Sequence, residues 1–234
     1  MHLFYTPNIE SDIYMLDEIE SKHCTRVLRL KTGDTIQLTD GKGNMYIAKL
    51  INEDQKHCNI QVIETKNNFE KRDFYLHIAI APTKNIDRLE WFLEKATEIG
   101  IDEITPVITD YSERAIIKTE RLNKILVSAM KQSVKAYMPK LNELQKIDQL
   151  IKNNKTEQKF IAHCYDSPKK QLSEIYFKKK DSLILIGPEG DFSQTEVNLA
   201  IQNQFKEISL GSSRLRTETA GVVACHTINL LNTL

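Results

Sequence analysis

The stretch Ser182-Leu-Ile-Leu-Ile-Gly-Pro-Glu-Gly-Asp-Phe-Ser-Gln-Thr-Glu196 holds a strand, a sharp turn and the start of a helix. Its four consecutive apolar residues, Leu183 to Ile186, lack the alternation of a half-exposed strand. They predict a strand buried on both faces, as in a parallel sheet. Gly187-Pro188 ends it. Ser193 and Glu196 then form an S-x-x-E capping box, in which each side chain accepts the other residue's backbone N–H, predicting a helix from 194 to about 204.

Such a strand needs neighbours on both sides, and the surrounding sequence supplies them. Upstream lie a buried strand at 74–81 and a helix at 87–99 that puts Leu89, Phe92, Leu93, Ala96 and Ile99 on one face, with Gly100 as its stop. A strand at 104–108, an amphipathic helix from 119 to about 136, a strand at 159–163 and a helix near 168–177 follow. Downstream come a strand at 207–210 and a last helix from 218 to about 231. Repeated βα units imply an α/β domain over 74–234, its mostly parallel sheet covered by helices on both sides.

Before residue 68 the rhythm differs. Thr35-Ile-Gln-Leu-Thr39, Met45-Tyr-Ile-Ala-Lys-Leu-Ile51 and Cys58-Asn-Ile-Gln-Val-Ile63 read as short strands, separated by turn residues at 31–34 and 40–44. They predict a small β-barrel domain over 1–68, joined to the second domain by the polar stretch 65–73.

A chain of 234 residues, 41% hydrophobic and 27% charged, can bury two cores and is not disordered. The first residues lack the basic and apolar regions of a signal peptide, and no apolar run approaches about 18 residues, so a cytoplasmic protein without a membrane span is expected. Cys24, Cys58, Cys164 and Cys225 are scattered without a C-x-x-C. Each adjoins a histidine, but adjacent side chains diverge on strands and helices alike, so no metal site is expected.

The net charge is zero, which at first argues against a nucleic-acid partner, yet residues 115–180 carry 15 Lys and Arg against 6 Asp and Glu. That imbalance suits either a phosphate-facing surface or a solvated lysine-rich helix face.

Ligands of open α/β sheets bind beyond the carboxyl ends of the strands, where the loops 187–191 and 211–217 fall. Both begin with Gly, which permits a sharp turn and a close approach of a ligand, though either loop alone also fits a plain tight turn. Neither G-x-G-x-x-G nor G-x-x-x-x-G-K-[ST] occurs, so dinucleotide and triphosphate sites lack their usual form. The 187–191 loop carries Glu189 and Asp191 without Lys or Arg, which repels phosphate and tolerates a neutral or cationic ligand.

Leu185-Ile-Gly-Pro-Glu-Gly190, followed by Ser209-Leu-Gly-Ser-Ser-Arg-Leu-Arg-Thr-Glu-Thr-Ala220, resembles the RsmE family of SPOUT-superfamily methyltransferases. The resemblance extends through Lys95-Ala-Thr-Glu-Ile-Gly-Ile-Asp-Glu-Ile-Thr-Pro106 and the middle-helix residues Glu120–Lys124 and Gln132-Ser133 to His23-Cys-Thr-Arg-Val-Leu-Arg-Leu-Lys-Thr-Gly-Asp34. That last stretch matches the family's N-terminal PUA-like RNA-binding domain. Two departures stand out: Asp191 replaces the last Gly of the usual G-P-E-G-G, and Val134-Lys135 stand where a Gly-Arg pair often follows Ser133.

The resemblance implies a C-terminal trefoil knot, a homodimer, S-adenosyl-L-methionine as cofactor, and methylation of N3 of a uridine in small-subunit (16S) ribosomal RNA, free or in the assembled subunit. Carried onto this chain, cofactor contacts fall to Gly187, Pro188, Gly190, Leu210, Gly211, Leu215 and Thr219. Arg216, Glu218 and Glu189 are the candidates for the chemistry, since uracil N3 must lose a proton and negative charge must be held on the uracil oxygens. Glu218 could equally serve the helix dipole, and Arg216 could simply pair with it. Arg26, Arg29, Lys84, Arg88, Lys131 and Lys135 are the candidate RNA contacts, each also readable as a surface charge. Two rival readings remain at this level: a SPOUT ribose 2′-O-methyltransferase, and a non-catalytic RNA-binding ribosome-assembly factor.

Overall fold

The computed structural model describes residues 2–234, which form two compact units: the chain up to Lys71 together with Val127–Met138, and Arg72–Leu126 together with Pro139–Leu234.

In the first unit, β1 (Leu3–Tyr5), β2 (Ile13–Met15), β3 (Thr35–Thr39), β4 (Met45–Leu50) and β5 (Asn59–Lys66) form a sheet of order β1-β3-β4-β5-β2. Only β1 and β3 run parallel. Helix α1 (Glu18–Lys22) starts where the Asp17 side chain accepts the Glu20 amide. Phe4, Leu16, Ile36, Leu38, Ala48, Leu50 and Ile60 make the core. Thr65 and Lys66 prolong β5 against Tyr46 and Met45, so the polar stretch is strand there rather than linker.

Val127–Met138 joins this unit through hydrogen bonds. The Ala136 carbonyl accepts from Thr39 Oγ1 (3.2 Å) and the Gly43 amide (2.9 Å), and Lys131 pairs with Glu20 at 2.6 Å. The expected helix to 136 therefore stops at Gln132; Val134 turns left-handed (φ 55°) and frees Ala136 for these bonds.

The second unit contains β6 (Leu76–Ile80), α2 (Ile86–Ile99), β7 (Glu103–Ile108), α3 (Thr119–Gln132, only its first half here), β8 (Lys140–Leu141), β9 (Gln145–Lys146), α4 (Ile147–Asn153) and β10 (Gln158–Ala162). There follow β11 (Lys170–Gln171), α5 (Leu172–Ile175), β12 (Ser182–Ile186), α6 (Gln194–Gln202), β13 (Lys206–Ser209) and α7 (Thr217–Thr233). The sheet runs β11-β13-β10-β12-β6-β7-β8, with β9 also on β7, and every pairing is parallel. β12 lies mid-sheet with all five residues buried, as its unbroken apolar run predicts.

Leu183 and Leu185 face α4 and α6 through Ile147, Ile151, Val197 and Ala200. Helices α2 and α7 cover the other face, where a Cβ on Gly221 would lie 2.6 Å from the Phe92 ring and 3.1 Å from Ile80 Cδ1. Only a residue without a side chain lets α7 sit this deep. The helix expected over 168–177 shrinks to α5, because Lys170 and Gln171 pair with the β13 edge instead. Among the described residues no helix is long and apolar enough to cross a membrane.

Candidate functional site

A cavity of about 410 Å³ opens at the carboxyl ends of β10, β12 and β13. Ile186, Gly187 and Asp191 come from the end of β12, and the 208–215 segment supplies the opposite wall. His163, Cys164 and Lys169 follow β10, and Thr217 and Ala220 of α7 close the back. The α6 capping box forms as predicted and fixes the far end of the β12 loop: Ser193 Oγ also donates to Asp110 Oδ2 (2.6 Å), and Glu196 Oε1 accepts the Asp110 amide (2.9 Å).

Asp191 ties two of these walls together. Its Oδ2 accepts the Cys164 amide at 2.7 Å and its Oδ1 the Phe192 amide at 2.8 Å, from a left-handed backbone with φ 67°. Asp is among the few residues besides Gly that visit this region. Gly211 holds the other loop at φ 129°, a conformation open only to Gly.

The cavity is not purely acidic. Lys169 Nζ donates to the carbonyls of His163 (2.8 Å) and Tyr165 (2.5 Å), and Arg214 joins the lining. With Asp191, these give both signs of charge around apolar walls of Ile186, Leu210 and Leu215. His163 Nε2 lies 2.9 Å from Glu207 Oε1. Burial, reinforced by Lys169, lowers its pKa against the opposing pull of Glu207, so the imidazole favours the neutral form. Burial and Asp191 raise the Cys164 thiol, which disfavours the nucleophilic thiolate.

Of the expected cofactor contacts, Gly187, Leu210, Gly211 and Leu215 line this cavity, whereas Pro188, Gly190 and Thr219 do not. The Pro188 carbonyl accepts the Asp191 amide within the turn (3.0 Å), and a Cβ on Gly190 would lie 3.0 Å from Tyr111 Cβ. Both residues shape the loop.

The three residues considered for the chemistry are not brought together. Glu189 Oε1 accepts the Lys84 amide (3.2 Å) and lies 3.9 Å from Arg88. Arg216 is exposed at the N-cap of α7 and makes no side-chain capping bond. Glu218 is 7% exposed, with Oε2 buried and unpartnered among the described residues, so the anticipated Arg216 pairing is not formed. Glu218 and Thr219 instead line a second cavity of about 350 Å³ with Asp87, Arg88 and Trp91 of α2.

His163 and Cys164, weighed in the sequence only as metal ligands, and Lys169 were not expected in this cavity. The rule that pointed to the ends of β12 and β13 would have found the first two had it been applied to the 159–163 strand as well.

Arg26, Arg29, Lys131 and Lys135 belong to the first unit, Lys84 and Arg88 to the second. Arg26 and Arg29 are exposed, Arg26 donating to Gln55 (2.7 Å). Lys131 is committed to Glu20, with its side chain only 20% exposed and its ammonium 5.7 Å from the centre of the Phe4 ring, which leaves little for a phosphate. The basic run 115–180 is likewise partly neutralised, since Arg121, Lys140, Lys152, Lys179 and Lys180 are all ion-paired.

A family model described as an RNA methyltransferase domain matches residues 70–229, and one described as an RNA methyltransferase PUA domain matches 16–63. The ribosomal RNA small subunit methyltransferase E of Aquifex aeolicus is 28% identical, over 95% of this chain and 96% of its own. A crystal structure of a probable rRNA-methyltransferase from Porphyromonas gingivalis has a TM-score of 0.94 at 43% identity, covering 100% of this chain and 99% of that one. The Neisseria gonorrhoeae ribosomal RNA small subunit methyltransferase E, bound to S-adenosyl methionine, has a TM-score of 0.88 at 26% identity, covering 99% and 98%. With a PUA domain ahead of a parallel-sheet methyltransferase domain, the chain belongs to the RsmE family of RNA methyltransferases.

Proposed function

We propose that this chain transfers a methyl group from S-adenosylmethionine to N3 of a uridine in small-subunit ribosomal RNA, as a cytoplasmic homodimer acting on free RNA or on the assembled subunit. The cavity at the carboxyl ends of β10, β12 and β13 carries the reading. Its apolar walls suit an adenosine, and Asp191 opposite Lys169 and Arg214 suits a zwitterionic amino-acid tail next to a sulfonium. A cofactor-bound relative with the same fold, from Neisseria gonorrhoeae, supports it.

When bound, S-adenosylmethionine supplies an electrophilic methyl group on sulfur. Gly187, Leu210, Gly211 and Leu215 hold it by main chain and apolar surface, while Pro188 and Gly190 shape the loop around it. Asp191 keeps the loops after β10 and β12 in register. The acceptor N3 carries a proton at neutral pH, so a base must take it, a role open to a carboxylate. Glu218, in the first turn of α7, is the buried one; Glu189, bound to the Lys84 amide, orients its loop. Arg216, exposed and in no ion pair among the described residues, is available to the uracil oxygens or to a phosphate. Arg26, Arg29 and Lys135 would carry RNA phosphates on the first unit, and Lys84 on the second. The family resemblance supports the homodimer and a trefoil knot threaded through the cavity loops.

Small subunits from a strain lacking the gene, incubated with the protein and labelled S-adenosylmethionine, should gain one methyl group that nucleoside analysis identifies as 3-methyluridine. Label on a ribose, or on free transfer RNA instead of the subunit, would overturn the assignment.

A further inference from the structure

The first turn of α7 borders two cavities. Thr217 and Ala220 belong to the one described above; Glu218 and Thr219 belong to the second, with Asp87, Arg88 and Trp91. Three features of the second cavity constrain what fills it. Glu218 Oε2 is buried without a donor among the described residues, a costly state that a ligand N–H would relieve. Trp91, the chain's single tryptophan, is 43% exposed at the rim and offers a flat stacking face. Arg88 is held only loosely by Glu189 at 3.9 Å, which leaves guanidinium donors free. Two carboxylates against one guanidinium disfavour a phosphate, whereas a neutral planar ring with an N–H donor between acceptors satisfies all of these groups.

We infer that this cavity is the acceptor-base subsite, in which a uracil ring stacks on Trp91, its N3–H meets Glu218 Oε2, and a flanking carbonyl accepts from Arg88. The inference deepens the uridine-methyltransferase reading and rests on it for the identity of the base. Of the two RNA pyrimidines, only uracil presents N3–H between two carbonyls; cytosine presents N3 as an acceptor and is repelled by the carboxylate. When Oε2 takes the N3 proton, the electron pair stays on the ring, and its charge spreads to the carbonyl facing Arg88. Glu218 thus contacts the reacting atom, and Trp91 and Arg88 position it.

The lone tryptophan makes the test direct. Titrating the protein with a uridine hexamer should quench Trp91 fluorescence saturably, and hexamers of cytidine or 3-methyluridine should bind about tenfold more weakly. Glu218→Ala should bind uridine and 3-methyluridine hexamers alike, and Trp91→Ala should weaken a fluorescein-labelled uridine hexamer about tenfold in anisotropy. Calorimetry with S-adenosylmethionine should find both variants unchanged, excluding misfolding. Equal wild-type affinity for uridine and 3-methyluridine, or hexamer binding without quenching, overturns the inference. So does a Trp91→Ala variant that dissociates an oligomer in light scattering while binding RNA normally, for the cavity is then a subunit interface. If both variants methylate small subunits at wild-type kcat/KM, the subsite is wrong and the methyltransferase reading stands. If the wild type transfers no methyl group, that reading fails, while hexamer discrimination still tests the cavity.

Discussion

Asp191 holds the Cys164 amide at 2.7 Å from a left-handed backbone, so one residue meets the stereochemical demand of the β12 loop and bolts that loop to the end of β10. The two roles separate by mutation. Asp191→Ala loses both carboxylate oxygens that accept backbone N–H groups and keeps an unfavourable φ, and should cost about 2–4 kcal/mol. Asp191→Gly loses the same acceptors but accommodates φ, and should be about 1 kcal/mol better than Ala. Both should weaken S-adenosylmethionine by about tenfold or more in calorimetry, because each loosens two cavity walls. Equal stability of Ala and Gly in urea denaturation would refute the conformational part; unchanged cofactor affinity would refute the anchoring part.

His77 is 5% exposed and its Nε2 lies 2.7 Å from Thr105 Oγ1. Burial pulls its pKa from 6.5 to about 4, despite the opposing field of Glu103. The folded state therefore binds fewer protons than the unfolded chain between these values, and stability falls as pH drops through that window. The loss between pH 7 and 5 should be about 2 kcal/mol. His77→Asn, which keeps a polar group near Thr105 without a titrating ring, should be flatter by about that amount in denaturant melts at the two pH values. Parallel pH profiles for the variant and the wild type would mean that His77 titrates alike in the folded and unfolded chains, and would refute the depression by burial.

Where local chemistry decided the structure, the sequence was readable. The apolar run Leu183–Ile186 and the Ser193/Glu196 box predict β12 and the start of α6 to the residue, since strand burial and capping are settled within one turn of chain. Long-range pairing was not readable. Residues 170–171 became strand because β13 offered an edge, and the helix ending at Gln132 stopped early because Ala136 was needed by Thr39 and Gly43. The site divides in the same way. Gly187 and Gly211 follow from strand ends, but nothing local says that Glu218 turns toward α2 while Thr217 faces the larger cavity. Spacing along a helix tells which residues share a face, not what the face meets.

Gly221 is where α7 crosses Phe92, and its missing side chain is a packing requirement. Alanine would gain about 1 kcal/mol of helix propensity. Against this, a Cβ at 2.6 Å from the Phe92 ring must displace α2 or α7, which costs about 1–3 kcal/mol by overpacking. Gly221→Ala should therefore destabilise modestly and Gly221→Val severely, as followed by thermal melts. Because α7 borders both cavities, Val should also weaken the cofactor. A pair Gly221→Ala/Phe92→Leu that recovers part of the lost stability would locate the clash; an Ala variant more stable than wild type would dismiss it.

Arg26 and Arg29 are exposed on the first unit, with no ion pair between them and any carboxylate among the described residues. If they neutralise two RNA phosphates, each should release about 0.7 counterions from single-stranded RNA. Arg26→Ala/Arg29→Ala should then lower the slope of log Kd against log salt by about 1.5 and weaken binding to small subunits most at low salt. Cofactor affinity should not move, since the cavity that would hold it is built wholly from the second unit. Lys131→Ala is the informative control. Paired with Glu20 and stacked near Phe4, Lys131 should report as a stability loss with little change in salt slope. A slope that drops for Lys131 and holds for the two arginines would reverse the assignment and put the phosphate path along 127–138.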